Sequence, residues 1–224
     1  EEGIELQHVL NTKKTITVRP DEAMEVITMI INLCLETKDL PQTEKISIVT
    51  ALPKQQGQVN DLNQIRPISV GQILGRIVNS LIAKRLGPVL KEHKLIDEAQ
   101  YAFIPGGGIH EPLEKLIECF RNSNRKNPGE KGKECYAILY DISKAYDSIS
   151  WESISYALAK IGAGEDLIEY VNNTHQGSQM AFRTNIPGRI TRKVNMKGAI
   201  KQGCPLAPLL FIIIMDELHK EYKR

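Results

Sequence analysis

The 224-residue sequence predicts an α+β fold. Segments with apolar residues at helical spacing alternate with short β-rich runs, but without the regular βαβ beat of a doubly wound sheet. With 42% apolar and 25% charged residues, the composition suits a packed domain rather than a disordered chain. Glycine (16) and proline (11) are ordinary and show no period, which excludes collagen-like and low-complexity chains.

Residues 1–20 read as an irregular lead-in. Pro20-Asp21-Glu22 then opens an amphipathic helix to about Lys38, with acids in its first turn and Met24, Ile27, Ile30, Ile31 and Cys34 on one face. Leu40-Pro41 stops it. Ile46 to Leu52 is β-rich and ends at Pro53, which predicts a strand, and 55–63 is a polar loop. Val70, Ile73, Leu74, Ile77, Val78, Leu81 and Ile82 give the clearest helical signal, predicting a helix over 70–86. A further helix spans about Glu111 to Asn122, with Pro112 tolerated in its first turn.

The Asn-, Gly- and Lys-rich stretch over 122–134 is a loop, and Cys135 to Asp141 reads as a strand. Short helices follow at Trp151 to Ile161 and Glu165 to His175. Ser178 to Asn185 and Arg189 to Lys197 form two strands joined by Ile186-Pro187-Gly188, a hairpin signal. Leu206 to Tyr222 is a largely buried helix.

The longest apolar run, Leu206 to Met215, is half of the roughly 20 residues that cross a bilayer. No basic-then-apolar leader opens the sequence, so an intracellular, non-membrane protein is expected. Cys34, Cys119, Cys135 and Cys204 are widely spaced without a C-x-x-C pair, which favours reduced core thiols. The five histidines are scattered and suggest no metal cluster.

Net charge is only +2, but it is unevenly distributed. Arg183, Arg189, Arg192, Lys193, Lys197 and Lys201 form a block without an acid. Lys54, Arg66, Arg76, Lys84, Arg85 and Lys91 face a single acid, Asp61. Such blocks are either a phosphate-binding face or a solvated surface, and charge by itself does not choose.

The chemistry-bearing constellation centres on Asp141. An apolar strand ending in a carboxylate places that charge at the core's edge, where it must be solvated, paired or metal-bound. Asp147 follows six residues later. On residue type alone, Asp141 as a turn cap and Asp147 as the cap of the helix near Trp151 is the favoured reading.

The surrounding residues carry a family likeness. Asp141-Ile-Ser-Lys-Ala-Tyr-Asp147 resembles the first catalytic motif of reverse transcriptases, in the form found in non-LTR (LINE-like) retrotransposons and group II introns. Leu52-Pro53-Lys54 with Asn63-Gln-Ile-Arg66-Pro67-Ile68-Ser69 resembles the fingers signature of that family. Gln100-Tyr-Ala-Phe103 with Gly106 to Gly108 resembles the block that follows. Lys197-Gly198 through Gln202-Gly203-Cys204-Pro205-Leu206 resembles a palm block. The four motifs occur in the family's order and cover roughly residues 25–220.

The resemblance implies a right-hand polymerase, with fingers over 21–134 and a partial palm over 135–224 behind the lead-in 1–20. It implies RNA-directed DNA synthesis on an RNA template, with a DNA primer and dNTPs as partners. Nucleotidyl transfer would be served by two Mg2+ ions about 3.5–4 Å apart. Asp141 would be the catalytic, metal-bridging carboxylate and the Ile142 carbonyl a further metal ligand. Lys54 and Arg66 would grip the incoming triphosphate, a point charge beside a forked guanidinium. Tyr146 would lie under the sugar and select against a 2′ hydroxyl, with core packing as its ordinary alternative. Gln202 would donate its amide, and Gly203 would let backbone approach the nucleotide. The resemblance also implies nuclear residence.

The departures carry expectations too. The sequence has no Asp-Asp pair, and its last residues precede the hairpin that supplies the family's other carboxylates. Asp216-Glu217 is the nearest acidic pair and reads as helix surface. The thumb is not represented, and Ala102 replaces the usual glycine of its block. One carboxylate cannot hold two magnesium ions, so these 224 residues are expected not to synthesise DNA alone. Two alternatives stay open: a degenerate reverse-transcriptase-like RNA-binding scaffold, and a helical interaction domain using 70–86 as its adhesive face.

Overall fold

The computed structural model describes residues 22–55, 61, 64–124 and 134–222. The lead-in over 1–20, Pro20-Asp21 at the first helix start, Asn63, and most of the loops over 55–63 and 122–134 lie outside the described residues.

Helix α1 (Glu22–Glu36) leads into β1 (Ile46–Pro53), β2 (Ile65–Gly71), α2 (Ile73–Glu92) and α3 (His110–Asn124). Then come α4 (Trp151–Lys160), α5 (Glu165–His175), β3 (Gln179–Phe182), β4 (Val194–Asn195) and α6 (Ala207–Tyr222). The mixed α and β content agrees with the predicted class. Ser150 caps α4 by accepting a hydrogen bond from the Ser153 amide, and Glu165 and Asp166 put negative charge in the first turn of α5.

Among the described residues the four strands form one sheet in the order β2-β1-β3-β4. β1 pairs antiparallel with β2, from Ser47 opposite Gly71 to Pro53 opposite Ile65. On its other side β1 runs parallel to β3, with Ile46 opposite Gln179 and Val49 opposite Phe182. β4 closes the far edge with two pairs, and Arg183 bridges Ile190 beyond them. β2 is an edge strand, which is where a proline such as Pro67 is tolerated.

The core lies where α2 meets α4, α5 and α6. Val78, Ile82, Leu86 and Leu90 recur every four residues along α2 and are fully buried. They join Ile154 and Leu158 of α4, Leu167 and Tyr170 of α5, and Leu210 and Ile213 of α6 in one apolar cluster. Each such side chain stabilises the fold by roughly 1.5–3 kcal/mol on burial. The Tyr170 hydroxyl is satisfied by donating to Asn79 Oδ1 at 3.1 Å. Lys45, also buried, is neutralised by Asp39 at 2.7 Å and donates to the Asn173 carbonyl.

Four expectations need correction. The helix predicted over 70–86 begins at Ile73 and continues to Glu92 through Pro88. Val70 belongs instead to β2, because its backbone pairs with Ile48 of β1. The strand expected at Cys135 to Asp141 does not form. Residues 134–142 are irregular and, apart from half-buried Cys135, exposed, Leu139 at 91%, because no neighbouring strand among the described residues offers a ladder.

Asp216 is not helix surface but 2% exposed. Its Oδ1 accepts the Asp97 amide at 2.8 Å, and Lys220 Nζ lies 2.7 Å from Oδ2. Finally, the cysteines are not all core thiols: Cys34 is buried, but Cys119 is exposed and Cys135 half-buried.

Candidate active site

Apart from Asp141 and Ile142, the residues singled out by sequence fall into two groups joined by β2. The first lies at one end of the β1–β2 hairpin. Arg66 pairs with Leu52 across the ladder, and Lys54, two residues beyond Leu52, donates its amide to the Gln64 carbonyl at 2.8 Å. This turn-side pairing brings Lys54 and Arg66 to the same end of the sheet, both exposed.

The second group is built on the loop between β4 and α6. The Ser69 amide of β2 donates to the Gln202 carbonyl at 3.2 Å. Gly203 follows at φ +96°, and a Cβ there would stand 2.1 Å from the Ser69 carbonyl oxygen. Only glycine accepts both the left-handed backbone and that approach.

Upstream in the same loop, Ile200 donates its amide to the Tyr146 carbonyl at 3.0 Å, and Ala199 donates to Ile149 at 2.9 Å. Ala199 is itself left-handed at φ +71°, and its carbonyl accepts from Trp151 Nε1 at 3.2 Å. The loop is thus stitched to β2 on one side and to the turn carrying Tyr146 on the other.

Tyr146 stacks on Phe211 of α6, with ring centroids 5.0 Å apart and planes 27° apart, and packs against the core. Burial pushes its phenol above the ordinary value. The turn that presents it closes with the Asp147 and Ser148 amides on the Lys144 carbonyl, at 2.9 and 3.0 Å. Its packing role is therefore present, whatever its outer edge meets.

Asp141 and Ile142 stand apart from these ties. Asp141 is exposed and makes no hydrogen bond or ion pair among the described residues, five residues ahead of Tyr146. Its carboxylate and the Ile142 carbonyl are hard oxygen donors of the kind Mg2+ takes, the rest of its shell coming from water and substrate phosphate. Among the described residues, no group of three His, Cys, Asp or Glu side chains converges on a metal position.

Behind the loop lies a small cavity of about 40 Å3, lined by polar Ser69, Arg76, His175 and Lys201 and by apolar Ile200 and Leu206. Lys201 donates to the Lys45 carbonyl at 3.3 Å, and burial, reinforced by the Lys45 charge, pulls its ammonium below the ordinary range. His175 is pulled down to about 4, mainly by burial with Lys201 adding to the effect, so it is neutral at pH 7. Its Nδ1 lies 2.7 Å from the Val171 carbonyl, to which it donates.

Ser69, Ala199 and Phe211 were not singled out by sequence. Ser69 closes the Arg66-Pro67-Ile68-Ser69 block, so a signal existed for it. Ala199 and Phe211 act through backbone conformation and packing, which residue type does not show.

The chain matches the family model described as reverse transcriptase (RNA-dependent DNA polymerase) over residues 52–224. It is 30% identical over 205 residues to the Retrovirus-related Pol polyprotein from type-2 retrotransposable element R2DM of Drosophila melanogaster, covering 90% of this chain and 18% of that protein. A type-1 retrotransposable element R2 polyprotein of Popillia japonica is 31% identical over 169 residues, 75% of this chain and 22% of its own length. The RNA-directed DNA polymerase from mobile element jockey of Drosophila melanogaster is 23% identical over 207 residues, 92% of this chain and 22% of its own. The chain thus spans about a fifth of the length of these relatives.

Proposed function

Because the chain belongs to the reverse transcriptase family, we propose that it supplies the fingers (21–134) and part of the palm (135–224) of an RNA-directed DNA polymerase. The complete protein would copy an RNA template onto a DNA primer from deoxynucleoside triphosphates, acting in the nucleus. The observation that carries this reading is the convergence of three separate sequence blocks. Ser69 of the Arg66 block holds Gln202–Gly203, and the same loop holds the Tyr146 turn that follows Asp141.

The reaction is an in-line displacement. The primer 3′ oxygen attacks the α-phosphorus, a new P–O bond forms, and the bond to the β-phosphate oxygen breaks to release pyrophosphate. Lys54 and Arg66, exposed at the hairpin end, would bind the triphosphate oxygens. Gln202 would orient the nucleotide over the bare backbone of Gly203, and Tyr146 would bound the sugar.

Asp141 and the Ile142 carbonyl would hold Mg2+. Bound there, the ions would neutralise phosphate charge and activate the attacking oxygen. These two donors provide part of a two-ion site, so synthesis by the 224 residues alone is not expected.

The test is primer extension by the complete reading frame with Mg2+. Asp141→Asn should reduce incorporation roughly a thousandfold, the scale of several kcal/mol of lost charge stabilisation, with RNA affinity unchanged. Retained incorporation in Asp141→Asn overturns the assignment. A wild-type frame that binds RNA yet extends no primer supports the scaffold reading instead.

A further inference from the structure

Outside the site, the described residues bring two sulfur atoms together. Cys119 of α3 and Cys135 of the irregular segment 134–142 have their Sγ atoms 3.5 Å apart, although they are 16 residues apart in sequence. Cys119 is exposed and Cys135 half-buried, so small reagents reach at least the first. We propose that Cys119 and Cys135 form a reversible disulfide that responds to low-molecular-weight disulfides and ties α3 to the segment leading into Asp141.

Three features support it. A disulfide needs the sulfurs about 1.5 Å closer. The segment 134–142 makes none of the backbone–backbone hydrogen bonds among the described residues, so it can close that gap without breaking a ladder. Its hydrogen bond with Cys119 pushes the Cys135 thiol up, which suits Cys135 as the second, resolving thiol. Cys34 and Cys204 are pushed up mainly by burial and serve as unreactive internal controls.

The chemistry balances with oxidised glutathione as the oxidant. The Cys119 thiolate attacks one glutathione sulfur, forming a mixed disulfide and expelling a glutathione thiolate. The Cys135 thiolate then attacks Cys119 Sγ, breaking the mixed disulfide and expelling the second glutathione. The two protein thiols lose two electrons and two protons, and glutathione disulfide is reduced to two thiols.

The consequence falls on Asp141, six residues beyond Cys135. Closing the bond anchors one end of its segment to a 15-residue helix and restricts where the carboxylate can go.

The 224-residue chain, treated with oxidised glutathione under native conditions and mapped without reduction, should yield one peptide pair linked through Cys119 and Cys135. The link should form within single chains at any protein concentration and reverse with dithiothreitol. Cys119→Ser and Cys135→Ser should each leave the other cysteine as a stable glutathione adduct. Chymotryptic cleavage beside Tyr136 and Tyr140 should slow several-fold in the linked chain. Separate adducts on both wild-type cysteines, or a link only between chains, overturns the disulfide. Unchanged cleavage overturns the coupling to the Asp141 segment.

Discussion

His175 is held neutral in the folded chain, buried beside Lys201 and bonded to the Val171 carbonyl. Its folded value of about 4 lies below the ordinary 6.5, so between these values the unfolded chain takes up a proton that the folded chain refuses. Stability from this group is therefore complete above about pH 6.5 and falls as pH drops toward 4, by ~3 kcal/mol in all. Denaturant unfolding at pH 7, 5.5 and 4.5 should show that loss, and His175→Gln should flatten the slope. Gly203 presents a steric case. Gly203→Ala meets the Ser69 carbonyl and keeps a left-handed backbone, so it should cost about 2–4 kcal/mol. Hydrogen exchange at the Ser69 amide should rise in the same variant, since the Gln202 carbonyl is its acceptor. An unchanged stability would mean that the loop relocates freely. Both residues were visible as types, yet their weight comes from neighbours distant in sequence.

At the level of elements, α6 shows what periodicity contains and what it hides. Leu209, Ile212 and Ile213 mark the buried stripe, and Asp216 continues it at the next turn, although its charge reads as helix surface. Its carboxylate holds the loop after α2 through the Asp97 amide, while Lys220 offsets the charge. Asp216→Ala leaves the Asp97 amide without its acceptor, while Lys220 keeps Glu217, and should destabilise the fold by about 1–3 kcal/mol, read by chemical denaturation. Asp216→Asn keeps an acceptor and should cost less. The amphipathic helices were legible because their apolar spacing repeats over several turns. β2 was not, since Val70 fits a helical stripe as well as an edge strand until β1 is beside it. The run from Cys135 to Asp141 shows the reverse case, where strand propensity meets no partner among the described residues and the chain stays irregular.

Across the whole molecule, one sheet joins residues 46–53 to residues 179–182, and one core joins α2 to α6. This closure brings the Arg66, Tyr146 and Gln202 blocks to a common region, and it places the basic β3–β4 hairpin on the same sheet. Arg183, Arg189, Arg192 and Lys193 are all exposed there. If the hairpin follows a nucleic-acid backbone, RNA affinity should fall steeply with added salt. Replacing Arg189, Arg192 and Lys193 with alanine should reduce the slope of log K against log salt by about 2. A slope unchanged by the triple substitution would assign the hairpin to ordinary solvated surface. The same measurement addresses the helical interaction domain, which requires no salt-sensitive binding. Among the described residues, no helix is long and apolar enough to cross a membrane.

Local order carried much of this protein in its linear chain: apolar periodicity specified most helices, and four motif blocks in sequence specified the family. Those features depend on residue type and spacing, which exist before the chain folds. Non-local pairing settled the rest. Whether Val70 joins a strand, whether the run before Asp141 finds a ladder, how close Cys119 comes to Cys135, and why position 203 must lack a Cβ all depend on what arrives from far along the chain. Hydrogen-bond partners, burial and van der Waals contact are properties of pairs, and a single residue's identity does not contain its partner.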